Sequence, residues 1–333
     1  MSGKNHKQVV LGVDIGATTA KMDYVDRDGN CMSAGASVTT GARQAVDVFF
    51  KRLYESADAL RSKLPSEYEI AAIGIGAPNG NYYKGTIEGS PNLGWDYVDV
   101  CAELGKYYSV PVAVTNDANA AALGEMLFGA AKGMRDFISI TLGTGLGSGI
   151  VANGEMIYGA DGFAGEIGHT IVDPNGRECA CGRRGCLETY CSATGLCRTV
   201  EELICNTNIQ SVLRGISYSD LTAARVSKAA DDGDALALAA FEVCGETLGR
   251  KLSDSVAHIS PEAIIIGGGM AAAGELILAP TRRALEKNVF PVYRGKVKVI
   301  PSGLSEGNAA IFGAAALAWS ILDKRFSHVS QLS

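Results

Sequence analysis

Val9-Val10-Leu11-Gly12-Val13-Asp14-Ile15-Gly16-Ala17-Thr18-Thr19-Ala20-Lys21-Met22-Asp23-Tyr24-Val25 is the stretch on which the fold turns. An apolar run ends in an acid, a bend of glycine and hydroxyl residues follows, and an alternating segment leads to Asp28-Gly29. That order reads as strand, glycine-rich bend, strand, tight turn. The pattern recurs further on. Phe137 to Leu142 is apolar, Gly143-Thr144-Gly145-Leu146-Gly147-Ser148-Gly149 is the bend, Ile150 to Ala152 resumes the strand, and Asn153-Gly154 is the turn. A repeat at this separation indicates a duplicated domain, since solenoids have short periods. Two such halves facing each other would leave a cleft between them.

Around these copies, helical spacing runs from Ala42 to Lys63, Val98 to Tyr108, Ala118 to Phe128 and Val200 to Leu213. It continues from Ala223 to His258, with an interruption near Asp231-Asp232-Gly233-Asp234, then from Ala271 to Leu285 and Asn308 to Leu322. Strands are expected at Ile70 to Gly76, Val112 to Thr115, Ala263 to Ile266 and Val297 to Pro301. A loop of Gly, Pro and Asn fills the stretch up to Trp95. Strands alternating with helices imply an α/β architecture with sheets covered by helices.

At 333 residues the chain can hold two ordinary domains or one large one. With 47% apolar and 20% charged residues it is a soluble globular sequence, not a disordered one. A net charge of -6 without any cluster of Lys or Arg argues against a phosphate-backbone footprint, so no nucleic-acid partner is expected. No apolar run reaches the length of a membrane span. Nine cysteines and no signal peptide point to a reducing cytoplasm.

Glu166-Ile167-Gly168-His169 and Cys179-Ala180-Cys181-Gly182-Arg183-Arg184-Gly185-Cys186-Leu187-Glu188 place one imidazole and three thiols within eighteen residues. His169, Cys179, Cys181 and Cys186 match the ligand set of a closed structural zinc site, with Gly182 and Gly185 freeing the backbone to turn. The alternatives are loop cysteines or a disulfide with a spare. The segments Asp14 to Lys21 and Thr141 to Gly149 are either hairpin bends or phosphate cradles; neither is a Walker A loop, and their duplication favours the cradle. Gly267-Gly268-Gly269 ends a strand, where a ligand can lie close to backbone. Asp117 is either the N-cap of the helix from Ala118 or a general base, with Asn116 orienting a hydroxyl. In Pro91-Asn92-Leu93-Gly94-Trp95, an amide and a ring could grip a polar ring, or Trp95 could anchor a turn.

These residues together resemble the sugar kinases of the ROK family (repressor, open reading frame, kinase), within the actin-like and hexokinase-like (ribonuclease H-like) ATPase fold. The likeness covers nearly the whole chain. Its most specific part is Glu166-Ile167-Gly168-His169 with Cys-x-Cys-Gly-x-x-Gly-Cys-x-Glu, and the surroundings of Asn92, Asn116 and Glu188 most resemble bacterial glucokinases. The chain departs from the family pattern at Ala17, at Thr19 and at Gly147-Ser148-Gly149.

The resemblance implies two duplicated α/β domains: 1–120, with a closing helix 306–323 packed back on it, and 121–305, carrying a zinc loop at 166–188. It implies ATP-dependent phosphorylation of a hexose at the 6-hydroxyl, with glucose first and N-acetylmannosamine, N-acetylglucosamine, fructose or allose as alternatives. Asp117 would be the base, and Asn92, Asn116, Glu166, His169 and Glu188 would hold the sugar. Asp14, Gly16, Thr18, Thr19, Thr144, Gly145, Gly267, Gly268 and Gly269 would meet Mg-ATP. A homodimer is the expected assembly. The family's other branch, sugar-responsive repressors, carries an added N-terminal DNA-binding domain for which the tail before Gln8 leaves no room.

Overall fold

The computed structural model describes residues 7–40, 45–90, 93–305 and 307–323. Asn92 therefore lies outside the described residues. In chain order the first strands are β1 (Lys7–Ile15), β2 (Thr19–Val25) and β3 (Ala36–Thr39), followed by α1 (Val46–Arg61) and β4 (Tyr68–Ala77). A short meander, β5 (Gly80–Asn81), β6 (Thr86–Ser90) and β7 (Trp95–Asp99), leads to α2 (Val100–Gly105), β8 (Val112–Asn116) and α3 (Asp117–Leu127). Then come β9 (Phe137–Leu142), β10 (Leu146–Ala152), β11 (Glu155–Met156) and the helices α4 (Ala193–Asn206), α5 (Ala223–Asp231) and α6 (Ala235–Ile259). The chain closes with β12 (Ala263–Gly267), α7 (Glu275–Asn288), β13 (Lys298–Pro301) and α8 (Ala309–Leu322).

Among the described residues the chain divides into two compact units. One draws on Met1–Gly133, Glu155–Gly165 and Gly303–Ser333; the other on Met134–Gly154 and Glu166–Ser302. Their sheets repeat one topology, β3-β2-β1-β4-β8 and β11-β10-β9-β12-β13. In each, an antiparallel hairpin (β1 with β2, β9 with β10) is followed by two parallel strands. The repeat in the sequence is thus a repeat in the fold.

Strand alternation decides the layers of the first unit. Val9, Leu11 and Val13 of β1 face Phe49, Phe50 and Leu53 of α1, while Val10 faces Ile311, Ala315 and Trp319 of α8. Helix α8 can lie this close only because Gly74 of β4 lacks a Cβ, which would overlap the carbonyl oxygen of Ala314. Gly124 and Gly313 likewise bring α3 against α8, and this keeps α3 whole within the first unit. In the second unit Ile138 and Ile140 of β9 and Ile264 and Ile266 of β12 pack with Leu248 and Leu252 of α6 and Ile277 of α7.

Three local expectations change. The stretch read as a loop up to Trp95 contains the β5–β7 meander, and Val98 and Asp99 complete β7 before a short helix. Helix α4 begins at Ala193, where the Ser192 hydroxyl accepts the Gly195 N–H, and ends at Asn206. Trp95 is only 5% exposed and packs on Phe49 and Phe50, with ring centroids 5.2 and 6.2 Å away. It is a core anchor, not a platform for a ligand ring.

Candidate active site

The first unit gathers its acids at the carboxyl ends of parallel strands, where open α/β sheets hold their ligands. Asp14 of β1 pairs in register with Gly76 of β4, and Gly76 with Thr115 of β8. Asn116 ends β8 and caps α3: its Oδ1 accepts the Ala118 N–H at 2.8 Å. Asp117, the first helical residue, shares that N–H at 2.8 Å through Oδ1. The cap is thus Asn116, and the Asp117 carboxylate sits at the positive end of the helix.

Burial pushes the Asp117 carboxyl above its usual range, against the pull of the N–H groups of Ala118 and of Asp117 itself. Asp14 is pushed up to about 6, first by burial and then by the charge of Asp117, with Lys21 opposing. Two carboxylates near enough to repel give each a reason to want a cation or a proton between them. The bend after Asp14 closes on itself, Gly16 N–H to Thr19 O at 3.0 Å, and leaves Thr18 exposed.

In the second unit the four metal-ligand candidates do come together. One donor atom from each of His169, Cys179, Cys181 and Cys186 lies within 4.8 Å of the others. His169 Nδ1 is 3.7 Å from Cys179 Sγ, and the Cys181 and Cys186 sulfurs are 3.6 Å apart. A disulfide needs about 2.05 Å. Ligands on a tetrahedron with bonds of about 2.1–2.3 Å stand roughly 3.5–3.8 Å apart, so the cluster has the dimensions of a zinc site. The loop reaches this shape through Gly182 and Gly185 at φ +86 and +73. A Cβ on Gly185 would overlap the Asp173 carbonyl oxygen. The Arg183 guanidinium donates to His169 O at 2.6 Å and ties the two arms of the motif.

Glu166 is exposed at the start of the turn Ile167–His169, and the Ile167 N–H is held by Ser148 Oγ of β10 at 3.2 Å. Glu188 joins two motifs. Its Oε2 accepts the Leu146 N–H at 3.0 Å, and its Oε1 lies 3.8 Å from Cys179 Sγ. A Cβ on Gly145 would overlap this carboxylate, so a larger residue there would push Glu188 aside. Beside the same bend, Gly267 pairs with Thr141, and Gly268, at φ +87, leaves no room for a Cβ against the backbone of Leu142.

Sequence reasoning missed one feature. A cavity of about 420 Å³ opens between α5 and the turn after Gly268, lined by Ala223, Ser227, Lys228, Asp231, Met270 and Ala273 among others. Nothing in these residue types signals a site; only the packing of α5 on the glycine turn makes one.

Duplicated sheets of this order, each with a glycine bend at its first hairpin, define the actin-like and hexokinase-like ATPase class. Residues 10–321 match the model described as ROK family, and the chain belongs to that family. It is 38% identical over 294 residues to a glucokinase of Halalkalibacterium halodurans, covering 84% of this chain and 86% of that one. A ROK family glucokinase from Streptomyces griseus, solved in complex with glucose and AMPPNP, superimposes with a TM-score of 0.78 at 33% identity, covering 93% and 99% of the two chains. A xylose repressor of Caldicellulosiruptor bescii is 32% identical over 250 residues, covering 74% of this chain and 62% of that one. No helix among the described residues is long and apolar enough to cross a membrane.

Proposed function

We propose that this chain is an ATP-dependent hexose kinase that converts glucose to glucose 6-phosphate. The observation that carries the reading is Glu188, which links the cysteine–histidine cluster to the glycine bend at Leu146 and so binds a sugar motif to a phosphate motif in one structure. Asn92, Asn116, Glu166, His169 and Glu188 hold the sugar hydroxyls; His169 turns Nδ1 toward the cluster and keeps Nε2 for the sugar. Gly16, Thr18, Thr19, Thr144 and Gly145 receive the phosphates. Gly267, Gly268 and Gly269 border the adenosine, whose base fits the cavity beside α5.

Phosphoryl transfer asks for alignment and charge stabilisation more than for covalent chemistry. The sugar O6–H proton passes to the Asp117 carboxylate as O6 forms its bond to the γ-phosphorus. The bond from that phosphorus to the β,γ-bridging oxygen breaks, and ADP leaves with the electron pair. Backbone N–H groups of the two bends meet the charge that grows on the phosphate oxygens. Asp14 would hold waters of the Mg²⁺ that accompanies ATP, and that ion would screen the phosphate charge. His169, Cys179, Cys181 and Cys186 would hold Zn²⁺, which supplies a rigid cross-link with no open position for water. The protein works as a cytoplasmic homodimer, which light scattering would check.

An ADP-release assay over glucose, N-acetylmannosamine, N-acetylglucosamine, fructose and allose tests the reading. The highest kcat/KM is expected with glucose, with the product phosphorylated at O6. Absence of ADP release with every sugar would remove the kinase reading, and preference for another sugar would replace glucose.

A further inference from the structure

The two glycine bends have their carbonyl groups tied down by threonines that belong to neither glycine motif. In the first unit Thr40, just past β3 and 2% exposed, donates its N–H to Thr18 O at 3.0 Å and its hydroxyl to Ala17 O at 2.9 Å. In the second unit Thr194, near the start of α4, donates its hydroxyl to Thr144 O at 3.0 Å. Its neighbour Ala193 donates its N–H to Gly143 O at 2.9 Å. Each clamp therefore takes two consecutive carbonyls with one N–H and one threonine hydroxyl.

Each bend also closes on itself, Gly16 N–H to Thr19 O at 3.0 Å and Gly143 N–H to Gly145 O at 3.0 Å. The oxygens of Ala17, Thr18 and Thr19, and of Gly143, Thr144 and Gly145, are thus all engaged. The peptides of the clamped oxygens carry the N–H groups of Thr18 and Thr19 in the first unit and of Thr144 and Gly145 in the second, and those of Thr18, Thr144 and Gly145 have no partner among the described residues. A peptide whose oxygen is tied within the protein cannot swing that oxygen toward an anion, and its N–H becomes the group on offer. The same solution is reached twice from unrelated flanking sequence, a strand end in one unit and a helix start in the other.

We propose that Thr40 and Thr194 are positioning residues for the phosphoryl donor, each fixing a peptide pair so that the unpartnered amides of that pair meet nucleoside triphosphate oxygens. The proposal rests on the reading of both bends as phosphate sites; neither hydroxyl itself touches the nucleotide. Thr40→Val and Thr194→Val keep the shape and delete the donor, while Thr40→Ser and Thr194→Ser restore it.

Calorimetric titration of the full chain with Mg-AMPPNP and, separately, with glucose reads the two sites apart. Each Val variant is expected to bind AMPPNP roughly 3- to 10-fold more weakly, the scale of one lost hydrogen bond. Glucose affinity should stay within about twofold, and the Ser variants should return to wild type. Thr194 is exposed, so its variant carries the test even if Thr40→Val folds poorly. Unchanged AMPPNP binding in Thr194→Val would overturn the proposal. So would a parallel loss of both ligands that tracks a fall in Tm. A wild-type protein that binds AMPPNP yet phosphorylates no hexose would remove the kinase reading while the clamp is still measured by binding.

Discussion

The two bends share a backbone course but not a chemistry. The first follows Val13-Asp14-Ile15 and the second Ile140-Thr141-Leu142, so a carboxylate in one copy stands where a hydroxyl stands in the other. The first unit adds Asp117 at the head of α3 and accepts the burial of Asp14 and, after it, the repulsion by Asp117, which together push Asp14 up to about 6. In the second unit the acid beside the bend, Glu188, is turned onto the Leu146 N–H. Duplication thus supplied two similar bends, and divergence put the facing carboxylates in one half and the cysteine–histidine loop in the other.

The sharpest way to break this division is Asp117→Ala. It should lower kcat by roughly a hundredfold to ten-thousandfold while glucose affinity, measured by calorimetry, stays near wild type. Turnover like wild type would take the base out of the first unit. Next comes the second unit's rigidity. Cys186→Ser should lower the metal content found by elemental analysis and weaken glucose binding about 10- to 100-fold. A metal-free variant with unchanged sugar affinity would separate the cluster from the sugar site.

A subtler contrast concerns stability. The folded protein holds the Asp14 proton up to about 6, whereas an unfolded chain releases it near 3.9. Stability therefore falls as pH rises from roughly 4 to 6, and the full penalty applies at pH 7. Asp14→Asn should raise stability at pH 7 by on the order of 1–2 kcal/mol, an advantage that disappears near pH 4, while activity collapses. Denaturant melts of both proteins at the two pH values check the sign; a variant less stable at pH 7 would reverse the argument. The smallest effect is expected at Trp95, whose indole N–H has no partner among the described residues. Trp95→Phe should cost less than about 1.5 kcal/mol and leave sugar affinity alone. A large loss of glucose binding would restore it as a ligand platform.

Much of this was legible in the residues. The hairpins around Gly16 and Gly145 announce themselves by apolar runs broken at glycine, and the spacing of His169, Cys179, Cys181 and Cys186 leaves few shapes open. The β5–β7 meander did not show because strands of two to five residues, rich in Gly and Asn, carry no periodicity to read. The start of α4 was misjudged because Ser192 signals its cap only when the glycine three residues on is counted as helical. The bond from Glu188 to Leu146 spans forty-two residues and is a matter of tertiary packing, which one-dimensional pattern cannot supply.

The place of α8 has a consequence for synthesis on the ribosome. The helix that roofs Val10 and Ala72 is translated after the whole of residues 166–302, which belong to the other unit. While those residues emerge, one face of the earlier sheet stays bare and must be kept from sticking to neighbouring nascent chains. The half that begins first is the half that matures last.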